Sequence, residues 1–116
     1  MQVNFSIKSA EYFVQDKFCI SCSWEHPFHP RVGDKVSGLF FFDRIDPEVF
    51  YKALNPAQQV RWDEWVGTEA EGEDLTREVA GRRAVTVWLR HLDMAVTAVT
   101  WSLDGSGCDC LCIDIN

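Results

Sequence analysis

The groups in this chain best able to do chemistry are five cysteines and three histidines. Cys19 and Cys22 have the x-x spacing with which two thiolates of a knuckle turn chelate one zinc ion. The residues around them alternate like a strand, however, and residues three apart on a strand point to opposite faces. The two sulfurs are therefore expected to diverge, with Cys22 buried as a small apolar group. Cys108, Cys110 and Cys112 pose the opposite case, because residues two apart share a face and form a row spaced about 6–7 Å. That spacing is too wide for three thiolates to meet one ion unless the strand bulges. A zinc or copper(I) site built on Cys108, Cys110 and Cys112 would also need a further ligand from Cys19, His91 or the His26/His29 loop. His26 and His29 are each followed by a proline and lack the helical spacing of a recognisable metal pair.

The patterns of known catalytic sites are absent: no Gly-x-Ser-x-Gly elbow, no phosphate-binding glycine loop followed by Lys, no His-Glu-x-x-His. Asp104-Gly105-Ser106-Gly107 is expected to be a hairpin turn, since the alternating oxygen ligands and distal Glu of a calcium loop are missing. No catalytic residue, resident metal or cofactor is assigned. The cysteine row stands as an alternative metal-binding reading, and a small enzyme of unknown reaction as a third.

Charge gives a stronger signal. Eighteen acids against eleven bases leave a formal net charge of −7, which disfavours direct contact with nucleic acid or anionic lipid. Residues 41–80 hold ten of the acids and four of the bases, hence −6 of that total. Asp63, Glu64, Glu69, Glu71, Glu73, Asp74 and Glu78 are opposed only by Arg77 within residues 63–78. Clustered carboxylates speed encounter with a basic partner, and an interleaved aromatic such as Trp65 supplies anchoring area.

The elements that must position these groups are read from periodicity. Val3, Phe5 and Ile7 alternate with polar neighbours, as in a strand with one buried face. Further strands are expected near residues 12–15, 18–25 and 35–43, the last ending in the apolar run of residues 39–42. Asp46-Pro47-Glu48 and Asn55-Pro56-Ala57 are two helix starts of one chemical form: an Asx side chain caps, and Pro occupies the first turn, where it has no donor to lose. They predict a helix over residues 47–54 and another from Pro56 to Val66, ended by Gly67. Residues 68–74 are expected to be a loop, with Leu75 to Ala80 adding a helical turn. The helical excursion thus spans residues 46–80. Strands are then expected over residues 84–91, 95–103 and 108–115 as a meander.

These elements imply one α+β domain over residues 1–116: an antiparallel sheet or small open barrel of about six strands, with two short helices inserted between strands 3 and 4. The odd cysteine count and the alternating, non-apolar opening predict free thiols and a cytoplasmic protein. No run approaches the roughly 18 apolar residues of a membrane span. The functional expectation is a small acidic protein-binding module, contacting a basic protein surface through Asp63, Glu64, Trp65, Glu69, Glu71, Glu73 and Asp74. Neither the partner nor the oligomeric state is specified.

Overall fold

The computed structural model describes residues 2–73, 76–103 and 109–116. Four strands, β1 (Gln2–Lys8), β2 (Lys17–Ser23), β3 (Val96–Leu103) and β4 (Asp109–Ile115), form one mixed sheet in the order β2-β1-β4-β3. β1 pairs antiparallel with β2 and parallel with β4, with Phe5 opposite both Ile20 and Ile113. Between β2 and β3 lie a single 3-10 turn (Gly38–Phe41) and helices α1 (Pro47–Ala53), α2 (Pro56–Glu73) and α3 (Arg77–Arg90). The fold is α+β, and no helix among the described residues is long and apolar enough to cross a membrane.

Alternation decides which face of the sheet is covered. Val3, Phe5 and Ile7 of β1 and Leu111, Ile113 and Ile115 of β4 are completely buried, on the face where Phe5 meets Phe40 and Phe41. The opposite face carries Asn4, Ser6, Cys19, Ser21 and Cys112, small polar or thiol side chains that leave it to water. A second aromatic group joins the helical layer to the sheet edge. Phe50 of α1 packs against Phe13, Phe18 and Trp62 with ring centroids 5.3–5.6 Å apart, and Trp62 of α2 continues to Trp88 of α3 at 5.2 Å. Trp88 Nε1 donates to Gln58 Oε1 across the α2–α3 contact at 3.1 Å.

Both predicted helix starts are present. Asp46 accepts from Glu48 N at 2.9 Å, and Asn55 accepts from Gln58 N at 3.0 Å. Asp46→Ala should therefore lower unfolding free energy by about 1 kcal/mol in urea titration, through the lost cap. An unchanged midpoint would mean that packing of Phe50 alone holds α1 in place.

Several expected elements differ. Residues 84–91 are not a strand but the second half of α3 and its capping residue, His91: Ala80, Ala84, Val85, Trp88 and Leu89 are buried at helical spacing behind a Thr76 cap. The alternation of Val85, Val87 and Leu89 is the part of that helical pattern a strand shares. Residues 35–43 are not a strand either. Ser37 caps the 3-10 turn, and Phe41 is buried while Leu39 is exposed, so the apolar run serves the helical layer. Residues 12–15 make turns, with Phe13 in an isolated bridge to Leu54.

α2 does not stop at Val66. It runs through Gly67 to Glu73, because Gly67 keeps a helical backbone and Gly33 is the sole described glycine with positive φ. The sheet is therefore mixed and four-stranded rather than an antiparallel sheet or barrel of about six strands, and three helices replace two. The expected turn at Asp104–Gly107, and Cys108, lie outside the described residues.

Candidate binding surfaces on the helical layer

Winding α2 past residue 66 distributes its acids in space. Successive residues turn by roughly 100° around a helix, and Gln58, Trp62 and Val66, four apart, mark the buried side. Glu64 and Glu71, seven apart, lie on the outward side and are exposed. Asp63 lies on the flank facing α1, where its carboxylate accepts a hydrogen bond from Tyr51 Oη at 3.0 Å. Glu69 is half-buried near α3 and pairs with Arg83 at 3.2 Å, while Glu78 pairs with Arg82 one helical turn away at 3.3 Å. Trp65 is half-buried, edge-on to Trp88.

Of the seven residues expected to form one contact face, the five whose side chains are described are thus not displayed as one. Asp63, Glu64, Glu69 and Glu71 point in three directions, and one of them is neutralised by α3. The side chain of Glu73 and the whole of Asp74 lie outside the described residues.

A different grouping of carboxylates emerges where α1 begins. Two adjoining hollows of about 530 and 440 Å3 share Pro47, Glu48 and Arg77, and so form one continuous groove between α1 and the α2–α3 pair. Its walls carry five carboxylates, Asp43, Asp46, Glu48, Asp63 and Glu78, against three guanidinium groups, Arg44, Arg77 and Arg82. Tyr51, Trp62 and Val66 give one end an apolar floor. Gly81 makes this arrangement compact, since a Cβ there would stand 2.9 Å from Pro47 Cβ. Asp43, Asp46 and Glu48 were not among the expected contact residues, although they belong to the acid-rich third of the chain. The first two entered the sequence only as charge and as a helix cap.

The described thiols and imidazoles do not converge. Cys19 and Cys22 lie on opposite faces of β2, with Cys19 beside Ser6 on the open face and Cys22 opposite Val3 toward the core. Cys112 also lies on the open face, paired with Asn4, whereas His91 caps α3 in the helical layer on the other side of the sheet. His26 packs on Trp24 and His29 on Trp101. Among the described residues no three His, Cys, Asp or Glu side chains are grouped to hold a metal ion. Cys108 and the side chain of Cys110 lie outside that description.

Among the described residues, three groups have proton affinities raised by their surroundings. Burial pushes the Cys22 thiol up, against the opposing pull of Arg44. Burial, then the nearby Glu11 charge, raises the Tyr12 phenol, while Arg61 pulls it down. The hydrogen bond to Asp63 raises Tyr51 first, followed by desolvation and the carboxylate's charge. Each group is neutral when protonated and holds its proton more tightly folded than unfolded. Stability is therefore fully present below the ordinary values, 9.0 for the thiol and 10.0 for the phenols, and is lost as pH rises through the higher folded values. Urea midpoints should fall as pH is raised beyond 9, and Tyr12→Phe should flatten the decline. A flat profile in the parent protein would contradict these shifts. The raised thiol also leaves Cys22 mostly protonated near neutrality, which disfavours it as a nucleophile.

Comparison of the chain with family models, with curated proteins and with solved structures finds no match.

Proposed function

We propose that the protein is a binding module for a basic segment of another protein, which seats in the groove between α1 and the α2–α3 pair. The observation supporting this reading is the gathering of Asp43, Asp46, Glu48, Asp63 and Glu78 along two adjoining hollows, the second of which has an aromatic floor. A net excess of carboxylate in a concave, partly apolar site focuses its field and favours lysine or arginine side chains. Tyr51 and Trp62 offer such side chains apolar surface for their aliphatic stems, and the half-buried Tyr51 ring a place for cation–π contact. Arg77, exposed at the junction of the two hollows, divides the negative potential into two positions. A partner with two separated basic residues fits better than one with a continuous basic run.

The acidic third of the chain remains the contact element, but its centre lies at the start of α1 rather than along residues 63–74. Immobilised parent protein, Glu48→Gln/Asp63→Asn and Glu64→Gln/Glu71→Gln separate the two locations. The groove variant should retain about tenfold less of a partner than the parent does, a loss of about 1.4 kcal/mol. The outward variant should behave like the parent, and retention should drop with added salt. Equal retention by the parent and the groove variant would remove the proposal. Selective loss in the outward variant would return the contact face to Glu64 and Glu71.

A further inference from the structure

A third hollow of about 500 Å3 lies between α2, the C-terminal end of α3 and the connection from β1 to β2. Tyr12 and Trp88, both at least nine-tenths buried, contribute to its lining, and half-buried Trp65 stands beside them, its ring 6.4 Å from that of Trp88 at 86°. Gln58 is also lined up on it and is only 6% exposed. An indole N–H only donates, so the contact with Trp88 engages the Gln58 carbonyl oxygen and leaves both amide hydrogens. These hydrogens have no acceptor among the described residues, and no described buried polar atom without a partner is sealed from the surface. The Gln58 amide nitrogen is therefore an accessible donor at the hollow.

Glu11, Arg61 and His91 complete the rim. All three are exposed, and among the described residues none of their side chains has a hydrogen-bond or ion-pair partner. On α2, Gln58, Arg61 and Trp65 follow at i, i+3 and i+7, so one helix face presents an amide donor, a cation and a ring together.

We propose that this hollow is a binding site for a small zwitterion with an aromatic body, of the class of the aromatic α-amino acids. The charges argue for both signs in one ligand. A purely anionic molecule would meet Glu11, and a purely cationic one would meet Arg61, whereas a zwitterion matches each. The carboxylate accepts from Arg61 and the Gln58 amide, the ammonium faces Glu11, and the ring lies against Trp65 and Val87. Burying a planar ring beside a rigid indole costs little conformational entropy and adds aromatic contact to the area removed from water. This site is separate from the acidic groove in its residues and in its ligand, so neither proposal depends on the other.

The test is a titration of the whole protein with L-phenylalanine, followed by the indole N–H resonances of Trp65 and Trp88 and the side-chain amide resonances of Gln58. Saturable shifts of these signals are expected at millimolar ligand or below. Phenylacetate lacks the ammonium and phenethylamine lacks the carboxylate, and each should bind about tenfold more weakly. Arg61→Gln and Glu11→Gln, both at exposed positions where folding is little affected, should weaken L-phenylalanine by a similar factor with unchanged melting temperature. No saturable shift with any of the three probes would overturn the site. Equal binding of all three, or binding untouched by both substitutions, would overturn the zwitterion assignment.

Discussion

Phe50→Ala is expected to lower the unfolding free energy by about 3–5 kcal/mol, the largest loss from a single truncation considered for this protein. The side chain is completely buried and touches three partners from three parts of the fold: Phe13 before β2, Phe18 on β2 and Trp62 on α2. Removing the ring forfeits its transfer free energy and leaves a hollow lined by other rings, which cannot collapse inward without leaving their own contacts. Edge-to-face pairs contribute about 0.5–1.5 kcal/mol beyond area, and two of the three contacts are of that kind. Urea unfolding should show a lower midpoint with an unchanged slope. Phe28→Ala, at a ring 77% exposed, is the matched control and should stay within about 0.5 kcal/mol of the parent. A Phe50→Ala loss below about 1 kcal/mol would mean that α1 is not locked to the sheet edge through this ring.

The second large effect has a sign opposite to helix propensity. Within a helix, alanine is favoured over glycine by about 1 kcal/mol, yet Gly81→Ala should destabilise by about 1–2 kcal/mol. The new methyl would lie 2.9 Å from Pro47 Cβ and 3.4 Å from Pro47 Cγ. Those atoms belong to a ring at the first position of α1, fixed in φ and unable to rotate aside. α1 must move as a unit, away from the layer that Phe50 anchors. Gly67→Ala and Gly72→Ala on α2 provide the contrast, because nothing stands within 4 Å of a Cβ at either position. Both should stabilise by about 0.5–1 kcal/mol. Thermal unfolding of the three variants should move one midpoint down and two up. A rise in all three would show that α1 and α3 are looser than their contact implies.

The legible parts of the fold were those whose local chemistry had one solution. Val3, Phe5 and Ile7 alternate without ambiguity, and Asp46-Pro47 and Asn55-Pro56 combine a capping side chain with a residue suited to the first helical turn. Residues 84–91 had two solutions, since β-branched Val85, Thr86 and Val87 favour a strand locally while Ala80 and Ala84 favour a helix over a longer span. Tertiary packing against α1 and α2 accompanies the second. Gly67 misled for a related reason: a glycine ends a helix only where the backbone turns left-handed, and here it does not.

The candidate site was legible as charge and illegible as surface. Asp63 and Glu64 are neighbours in sequence, but one faces Tyr51 and the other faces water, because a helix separates adjacent residues by most of a right angle or more. Conversely, Asp43 and Glu78 are thirty-five positions apart and share a hollow, which only the close approach of α1 and α3 brings about. The arginines that dilute the acidic stretch, Arg82 and Arg83, fall between the expected helical turn ending at Ala80 and the expected strand starting at residue 84, in a segment assigned to neither. Their pairing with Glu78 and Glu69 could therefore not be foreseen.

The parallel pairing of β1 with β4 has a kinetic consequence. The first described strand finds its central neighbour only in the last, after every helix has been threaded between them. The β1–β2 hairpin alone is marginal in water, and Val3, Phe5 and Ile7 have half their lateral support until Leu111, Ile113 and Ile115 arrive. Such distant closure slows the search and ties the whole molecule to a single late event. A nascent chain would hold its apolar strand unfinished until β4 is made, so chaperone dependence and yield should respond more sharply to changes in β4 than to equal changes in α2.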